Sequence, residues 1–343
     1  MTKEILVTGG TGYIGSHTVV ELIQAGYKPI IIDNLSNSNK GILKQIETIT
    51  GVKVPFHQFD LCDSNQVKSF VEAHPELHGI IHFAAFKAVG ESVQEPLKYY
   101  HNNFFSLINL LNAFDQRPVH MVFSSSCTVY GQPDVLPVTE LAPVKKAESP
   151  YGNTKQIAEE ILSELATSKS NYRIVSLRYF NPVGAHASAL IGELPIGVPQ
   201  NLVPFITQTA IGKREKLTVF GKDYDTPDGS AIRDYIHVVD LAKAHVAALA
   251  FLEKQTGEKH YDVFNVGTGK GYSVLEAINA FEKATGVQLP YQIGERRTGD
   301  IEKVWGDVEK AKRELQWEAR LNIEDMMQSA WAWEKYLQEK NPF

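Results

Sequence analysis

A glycine-rich turn near the N-terminus limits the possible folds more than any other feature of this sequence. An apolar run ends at Thr8 and leads directly into Gly9-Gly10-Thr11-Gly12-Tyr13-Ile14-Gly15, after which a helical pattern continues to Gly26. This order of strand, glycine turn and helix lets backbone N–H groups approach a pyrophosphate, while the helix presents its positive end. The spacing Gly-x-x-Gly-x-x-Gly differs from the commonest dinucleotide fingerprint, Gly-x-Gly-x-x-Gly. The turn therefore predicts the first βα unit of a dinucleotide-binding sheet.

Further apolar strands alternate with helical segments along the first half of the chain. The strand patterns cover residues 28–32, 52–59, 79–83, 120–123 and 172–179. Such alternation predicts an α/β fold with a doubly wound parallel sheet covered by helices. The alternation breaks down after residue 180, where the glycine and proline content rises. We therefore expect a smaller C-terminal α/β domain to begin there.

Asp33 ends the second strand pattern, eighteen residues after Gly15. An acidic residue near this point typically accepts hydrogen bonds from the adenosine ribose and repels a 2′-phosphate. The position therefore favours NAD over NADP. The alternative is a loop aspartate that starts the turn Asn34 to Asn37, but the preceding glycines favour the cofactor role.

The stretch Ser149 to Lys155 combines a helix start with a tyrosine and a lysine four residues apart. Ser149 suits the N-cap and Pro150 the first helical position. Tyr151 and Lys155 then share one helix face, and a nearby cation favours the phenolate that a base requires. The spacing alone has little weight, because Tyr336 and Lys340 repeat it in what we interpret as an amphipathic helix end with a solvated lysine.

A serine-rich segment follows the fifth strand pattern, where parallel strands face a ligand crevice. Ser126 is the serine we expect to bond a substrate hydroxyl and to share its proton with Tyr151. Ser124 and Ser125 fit better as partners of the backbone or of a cofactor. Cys127 is predicted to be a small buried residue, since no His-Asp arrangement accompanies it.

Composition and charge exclude several functional classes. A net charge of −6 and a pI near 6.0 argue against a nucleic-acid or anionic-membrane binder. No stretch reaches transmembrane length, and no signal-peptide pattern precedes the first strand. Cys62 and Cys127 are too few for a disulfide framework, so the cytoplasm is expected. The histidines lack the spacing of a zinc site, and we predict no metal site.

Two further segments invite a phosphate-binding interpretation. Gly267 to Gly271 lacks the first glycine and the Ser/Thr of a phosphate loop, so we predict a turn. Arg296 and Arg297 are adjacent arginines. They either bind a diphosphate through paired guanidinium hydrogen bonds or form a solvated charge cluster, and the sequence does not decide between the two.

Taken together, these motifs resemble the extended short-chain dehydrogenase/reductase family, and within it the UDP-glucose 4-epimerases. The resemblance covers essentially the whole chain. Its specific segments are Thr8 to His17, Ile81 to Ala85, Lys87 to Val93, Ser124 to Gly131, Leu177 to Ala185, Arg233 to Val238 and Arg297 to Asp300.

The resemblance implies a Rossmann domain at residues 1–180, with a return contribution from about 236–267, and a UDP-sugar-binding domain at 181–343. It implies tightly bound NAD and inversion at C4 of a UDP-sugar through a 4-keto intermediate. Ser126, Tyr151 and Lys155 would be catalytic. The implied cofactor contacts are Gly9, Gly12, Tyr13, Ile14, Gly15, Asp33, Asn34, Leu35, Asn37, Asp60, Leu61, Phe83, Ala84, Ala85, Lys87, Asn102, Ser124, Tyr151, Lys155, Tyr179 and Phe180. The implied substrate contacts are Lys87, Ser126, Tyr151, Phe180, Asn181, Asn201, Leu202, Val219, Phe220, Arg233, Tyr235, Arg297, Asp300 and Val304.

The resemblance also leaves questions of specificity. Val304 occupies a position at which these epimerases carry a tyrosine or a smaller residue, and a small side chain leaves room for an N-acetyl group at C2. UDP-GlcNAc and UDP-GalNAc are therefore candidate substrates. A 4,6-dehydratase is disfavoured because Cys127-Thr128-Val129 offers no carboxylate, whereas a UDP-glucuronate epimerase stays open. A non-catalytic NAD-sensing protein is disfavoured by the intact catalytic set. The resemblance suggests a homodimer formed through the segments Glu91 to Asn112 and Ser149 to Thr167.

Overall fold

The structure is a computed structural model that describes residues 2–255, 260–296 and 301–343. Seven of its strands form one parallel sheet in the order β10-β6-β5-β4-β1-β2-β3. The strands are β1 Glu4–Thr8, β2 Lys28–Ile32, β3 Phe56–His57, β4 Leu77–His82, β5 Val119–Ser124, β6 Tyr172–Tyr179, β7 Asn181–Val183, β8 Leu217–Phe220, β9 Ile232–His237, β10 Tyr261–Val266, β11 Gly271–Ser273, β12 Tyr291–Gly294 and β13 Lys303–Val304. The doubly wound parallel sheet is confirmed.

The helices cover both faces of this sheet or pack around the smaller C-terminal strands. They are α1 Tyr13–Gln24, α2 Ile42–Thr50, α3 Ser64–Ala73, α4 Val89–Gln94, α5 Pro96–Ala113, α6 Pro150–Ser168, α7 Leu202–Ala210, α8 Val238–Lys254, α9 Val274–Thr285 and α10 Ile323–Lys340. A 3-10 helix spans Cys127–Tyr130 and a π-helix spans Ala311–Leu315. No helix within the described ranges is long and apolar enough to cross a membrane.

Alternating side chains of the parallel strands build two cores. Ile5 and Val7 of β1 pack with α1, α2 and α8 on one face. Leu6, between them, packs with α3, α5 and α6 on the other. Successive side chains of a strand point to opposite faces, so a fully apolar strand requires a helix layer on each side.

The strand order reverses beside β1: β2 and β3 follow on one side of it, and β4, β5 and β6 follow on the other. In open α/β sheets, ligands bind at the carboxyl ends of the strands beside such a reversal. Here those ends are Thr8 and His82, which are joined by a hydrogen bond of 2.8 Å between Thr8 Oγ1 and His82 Nδ1. The crevice therefore opens beside the glycine turn that follows β1.

One predicted strand differs from the structure. The third strand was expected over residues 52–59, but only Phe56–His57 pairs, because β3 is the sheet edge and Val52 is exposed. Farther along the chain, α4 and α5 are separated only by Glu95. Pro96 disfavours helical geometry in the preceding residue, and Glu95 accordingly has φ −124° and ψ 56°.

The C-terminal part forms smaller sheets around a third core. Strands β11, β9 and β13 are neighbours, with β7 also on β9, and β12 pairs with β8. Helices α7, α9 and α10 contribute to the associated core. Strand β10 returns to the main sheet beside β6 and helix α8 packs on α1. The proposed domain boundaries stay a prediction.

Candidate active site

The predicted tyrosine and lysine lie in the first turns of α6. Ser149 caps this helix by accepting a hydrogen bond from the Gly152 N–H at 3.1 Å, and Pro150 is its first residue. Tyr151 and Lys155 are both buried, with Lys155 Nζ 5.9 Å from the centre of the Tyr151 ring. The helix therefore holds phenol and ammonium in one enclosed space at the carboxyl edge of the sheet.

The end of β5 supplies the third predicted catalytic residue. Lys155 Nζ donates to the Ser124 carbonyl oxygen at 2.7 Å, which fixes α6 against this strand end. Ser126 then caps the short 3-10 helix by accepting a hydrogen bond from the Thr128 N–H at 3.2 Å. The Ser124 hydroxyl bonds to the Tyr179 hydroxyl at 2.8 Å. Ser126 in turn lies within hydrogen-bonding reach of Tyr151.

The electrostatics of the site are dominated by burial. Burial raises the pKa of Tyr151, a smaller increase comes from Tyr179, and hydrogen bonding with Ser126 opposes the rise. Burial also lowers the pKa of Lys155 to about 8, while the charge of Glu159 opposes that decrease. The sequence suggested that Lys155 lowers the Tyr151 pKa, yet in the chain alone the net shift is upward. A phenolate at neutral pH therefore requires additional positive charge in the site.

The second tyrosine and lysine pair has a different environment. Tyr336 and Lys340 end α10, and Lys340 is exposed to solvent. Lys155 is only 5% exposed. The identical spacing thus produces a buried pair in α6 and a solvated lysine at the end of α10, as the sequence analysis predicted.

The glycine turn is packed too closely for larger residues. Gly9 has φ +70°, and a Cβ on it would lie 2.9 Å from the backbone nitrogen of Ala84. A Cβ on Gly15 would lie 2.2 Å from the Gly9 carbonyl oxygen. Ala84 follows β4, so these contacts pack the turn closely against the start of α1 and the end of β4. A tight glycine turn at a helix N-terminus is the arrangement in which backbone N–H groups bind a pyrophosphate.

Asp33 lies at the end of β2, beside this turn. Its carboxylate accepts hydrogen bonds from the N–H groups of Leu35 at 2.9 Å and Thr11 at 3.2 Å, and from the Ser38 hydroxyl at 3.1 Å. These contacts hold the carboxylate at the switch point of the sheet, where a ribose would be recognised.

Neighbouring residues also lie at this edge. The Asn34 side chain donates to Asp60 Oδ2 at 3.0 Å, and the Asn102 side chain donates to Asn103. Leu61, by contrast, packs in the second core.

One acidic residue of the site was missed by the sequence analysis. Glu193 Oε1 accepts a hydrogen bond from Asn201 Nδ2 at 2.5 Å and lies 3.4 Å from Lys87 Nζ. Its carbonyl oxygen accepts from the Trp333 indole at 2.8 Å. Glu193 therefore links two predicted substrate contacts. The segment that contains it has no periodic pattern, so the sequence carried no signal for it.

The remaining predicted substrate contacts cluster on the small sheets. Asn181 pairs with Tyr235, and Val304 pairs with Arg233, which places three strands side by side. Val304 also packs with Phe180 in a small apolar cluster. Leu202 begins α7, and Val219 and Phe220 lie in β8. Arg297 and Asp300 lie outside the described residues.

The two segments with alternative phosphate-binding interpretations have internal partners. Arg296 Nε bonds to Asp223 at 2.8 Å, and its guanidinium lies 4.2 Å from the centre of the Tyr224 ring. The N–H groups of Thr268 and Gly269 both donate to the Asp234 carboxylate. The Gly267 segment is thus a loop organised by a buried aspartate, in agreement with the predicted turn.

Comparison with known proteins identifies the family. Residues 6–330 match the family model described as GDP-mannose 4,6 dehydratase. A UDP-glucose 4-epimerase from Bacillus subtilis (strain 168) is 51% identical, over 96% of each chain. The chain belongs to the UDP-glucose 4-epimerase family. No carboxylate lies at Cys127-Thr128-Val129, which fits an epimerase better than the dehydratase of the family model.

Two solved structures of this epimerase family agree with the fold. The enzyme from Stenotrophomonas maltophila, with bound NAD and formylated UDP-arabinopyranose, is 47% identical, with a TM-score of 0.94 over 98% of this chain and 99% of that one. The enzyme from Bifidobacterium longum, in complex with NAD+ and UDP, is 46% identical, with a TM-score of 0.93 over 99% and 100% of the two chains.

Proposed function

We propose that this chain interconverts UDP-galactose and UDP-glucose by inverting C4 of the sugar with tightly held NAD. The observation that carries the proposal is the convergence of Ser126, Tyr151 and Lys155 at the sheet edge beside the glycine turn. Bound NAD would supply the hydride acceptor for C4 and the hydride donor for the opposite face of the resulting 4-keto sugar. The overall reaction is an isomerisation without net redox change.

Side chains of the protein carry out the proton transfer. Tyr151, as phenolate, takes the proton of the sugar 4-hydroxyl and later returns it. Ser126 orients that hydroxyl, because its own oxygen is fixed by the Thr128 N–H. Lys155 supplies a buried positive charge within 5.9 Å of the Tyr151 ring. General acid–base catalysis of this kind contributes roughly 10² to 10⁴-fold to the rate.

The residues present fit NAD. A Cβ on Gly9 or Gly15 would meet protein backbone, so glycine at both positions permits the tight turn and the close helix packing that the dinucleotide-binding motif requires. Asp33 presents a carboxylate at the end of β2 and would repel a 2′-phosphate. The positive charge of an oxidised nicotinamide would also favour the Tyr151 phenolate, which burial alone disfavours.

The UDP part would be held by the second set of strands. Asn181, Arg233, Tyr235 and Asn201 lie on β7, β9 and at the start of α7. Lys87 is connected to Asn201 through Glu193. Inversion requires the keto sugar to rotate and present its other face, so the hexose must be bound less tightly than the UDP. Cationic and amide groups around the nucleotide would bind the UDP part more strongly than the sugar.

The test is turnover of UDP-galactose by purified protein without added NAD. We expect UDP-glucose to form, because the cofactor is retained between turnovers. Accumulation of bound NADH without product would contradict the proposal and indicate a dehydrogenase or dehydratase. UDP-glucuronate is the comparison substrate, since epimerisation of a C6 carboxylate sugar is the alternative function.

We propose a homodimer formed through α4, α5 and α6. Exposed apolar side chains are concentrated on this surface, including Val93 at 62% and Leu97 at 80% exposure. Helices α5 and α6 lie side by side in the layer on this face of the sheet. Light scattering should give twice the chain mass, and Leu97→Glu should give a monomer.

We further propose a reducing compartment, the cytoplasm, because Cys62 and Cys127 are both free.

A further inference from the structure

A buried ion pair lies beneath the serine-rich end of β5. Arg178 on β6 donates to Glu159 on α6 from Nη2 at 2.6 Å and from Nε at 3.0 and 3.1 Å to the two carboxylate oxygens. Arg178 is 6% exposed and Glu159 is 7% exposed. Charges this deeply buried are expensive to desolvate and are rarely the most stable choice for a core. A role beyond stability is therefore worth testing.

The ion pair holds the chain on both sides of Ser126. On one side, the Ser125 hydroxyl donates to Glu159 Oε1 at 2.5 Å. On the other side, the Arg178 guanidinium lies 4.9 Å from the centre of the Tyr130 ring. Ser126 lies between these two anchored residues, at the start of the 3-10 helix.

Glu159 also occupies a particular position on α6. It lies one turn beyond Lys155 and two turns beyond Tyr151, so all three residues share one face of the helix. Helix α6 thus places the carboxylate on the side of Lys155 away from Tyr151. Lys155 in turn donates to the carbonyl oxygen of Ser124, the neighbour of Ser125.

We propose that Glu159, paired with Arg178, is a positioning residue for the C4 inversion: it fixes the serine turn around Ser126 and places a negative charge one helix turn from Lys155. This inference rests on the proposed function. It assigns no contact with substrate or cofactor to Glu159. Glu159 acts through two neighbours. It fixes the position of the serine turn through Ser125, and its negative charge favours the charged form of Lys155.

Several charged and titratable groups lie near Lys155, and among them the charge of Glu159 favours its ammonium form. Tyr151 lies on the same helix, Tyr179 and Arg178 lie on β6, and His82 lies on β4, where the lysine charge disfavours protonation. Burial lowers the pKa of Lys155 to about 8, and Glu159 is the charge that opposes the decrease. Without Glu159, the lysine would lose its proton at a lower pH.

The experiment compares kcat for UDP-galactose across pH values on either side of 8 in wild type, Glu159→Gln and Arg178→Gln. Both variants break the same ion pair, but only Arg178→Gln keeps the carboxylate beside Lys155. We expect the alkaline midpoint, the pH above which kcat falls by half, to move down by about 1 unit in Glu159→Gln. We expect no downward movement in Arg178→Gln.

Equal losses of kcat at every pH in both variants, with the alkaline midpoint unmoved, would overturn the inference and leave a purely structural ion pair. If Glu159→Gln does not fold, the double variant Glu159→Gln/Arg178→Gln replaces the pair by two amides and should show the same downward shift. An unshifted midpoint in that double variant would also overturn the inference.

A third variant tests the geometric half. Ser125→Ala removes only the hydroxyl that reaches Glu159, and should lower kcat by about tenfold, with KM and the alkaline midpoint unchanged. Wild-type kcat in Ser125→Ala would overturn the positioning of Ser126 by this route. Wild-type protein that does not turn over UDP-galactose would instead overturn the proposed function, so the two failures are distinguishable.

Discussion

Lys155 donates its ammonium hydrogen bond to the carbonyl oxygen of Ser124 at 2.7 Å, and this contact joins helix α6 to the end of strand β5. The bond places a buried cation at the point where the turn that contains Ser126 begins. It also determines how the stability of the protein should depend on this residue.

We predict that Lys155→Met stabilises the fold at pH 7 while abolishing activity. The pKa of Lys155 is about 8 in the folded chain and near its ordinary, higher value when unfolded. The unfolded state therefore binds more protons between these values, so stability rises with pH in that window, and the burial penalty is fully present below it. After subtracting the lost hydrogen bond, we expect a gain of about 2 kcal/mol.

Urea unfolding at pH 7 and at pH 10 checks this expectation. The gain should shrink at the higher pH, where wild-type Lys155 is largely neutral. Lys340→Met is the matched control, because that lysine is exposed and ends the second copy of the spacing. A loss of stability in Lys155→Met at pH 7 would contradict the argument.

We predict that Tyr151→Phe reduces turnover of UDP-galactose by roughly 10² to 10⁴-fold with little effect on folding. The substitution removes the proposed base and leaves the buried ring in place. Tyr336→Phe is the control, since it alters the other tyrosine that has a lysine four residues later. Similar activities for the two variants would show that Tyr151 is not the base.

Glycine substitutions distinguish the cofactor turn from ordinary helix positions. In Gly15→Ala the new Cβ would lie 2.2 Å from the Gly9 carbonyl oxygen, so the turn must move. We expect a loss of about 1 to 3 kcal/mol in stability and a protein purified with little NAD. In Gly90→Ala no atom lies within 4 Å, so stability and cofactor content should remain near wild type. Cofactor content is measured by absorbance after denaturation.

Local signals in the sequence were sufficient for the helical half of the candidate site. The spacing of Tyr151 and Lys155 and the cap at Ser149 depend only on neighbouring residues, and the structure has both features. The length of a strand at the edge of a sheet depends on more than its neighbouring residues. The apolar pattern over residues 52–59 does not indicate that β3 is an outer strand, so the predicted strand was too long.

Tertiary relationships were not accessible from spacing. Glu193 contacts both Asn201 and Lys87, and Lys87 is 106 residues away along the chain. The effect of burial on a pKa is likewise not accessible from residue spacing. The sequence places a cation near Tyr151, but the rise in the Tyr151 pKa follows from desolvation, which only the folded structure reveals.

Substrate range should depend on Val304. Val304 pairs with Arg233 in the strand ladder, and its buried side chain packs against Phe180. We predict that wild-type protein turns over UDP-GlcNAc, and that Val304→Tyr loses this activity while retaining UDP-galactose turnover. Val304→Ala, which enlarges the space, should retain both activities. Absence of UDP-GlcNAc turnover by wild type, under conditions where UDP-galactose reacts, would contradict the prediction.

The last prediction concerns acid stability and His82. Burial, with a smaller contribution from the charge of Lys155, lowers the pKa of His82 to about 3. The unfolded state therefore binds one more proton than the folded state between that value and the ordinary histidine pKa near ~6.5. Because the folded pKa is depressed, stability falls as pH decreases through this window, at up to about 1.4 kcal/mol per pH unit for one histidine.

His82→Gln should remove that one-proton dependence. We expect its unfolding free energy, measured by urea titration between about pH 4 and 6, to vary with pH by roughly 1 kcal/mol per unit less than wild type. The comparison concerns the slope, since losing the bond to Thr8 lowers stability at every pH. His101→Gln, at an exposed position on α5, serves as the control. If His82→Gln has the wild-type slope, His82 takes up its proton without unfolding and the burial argument fails.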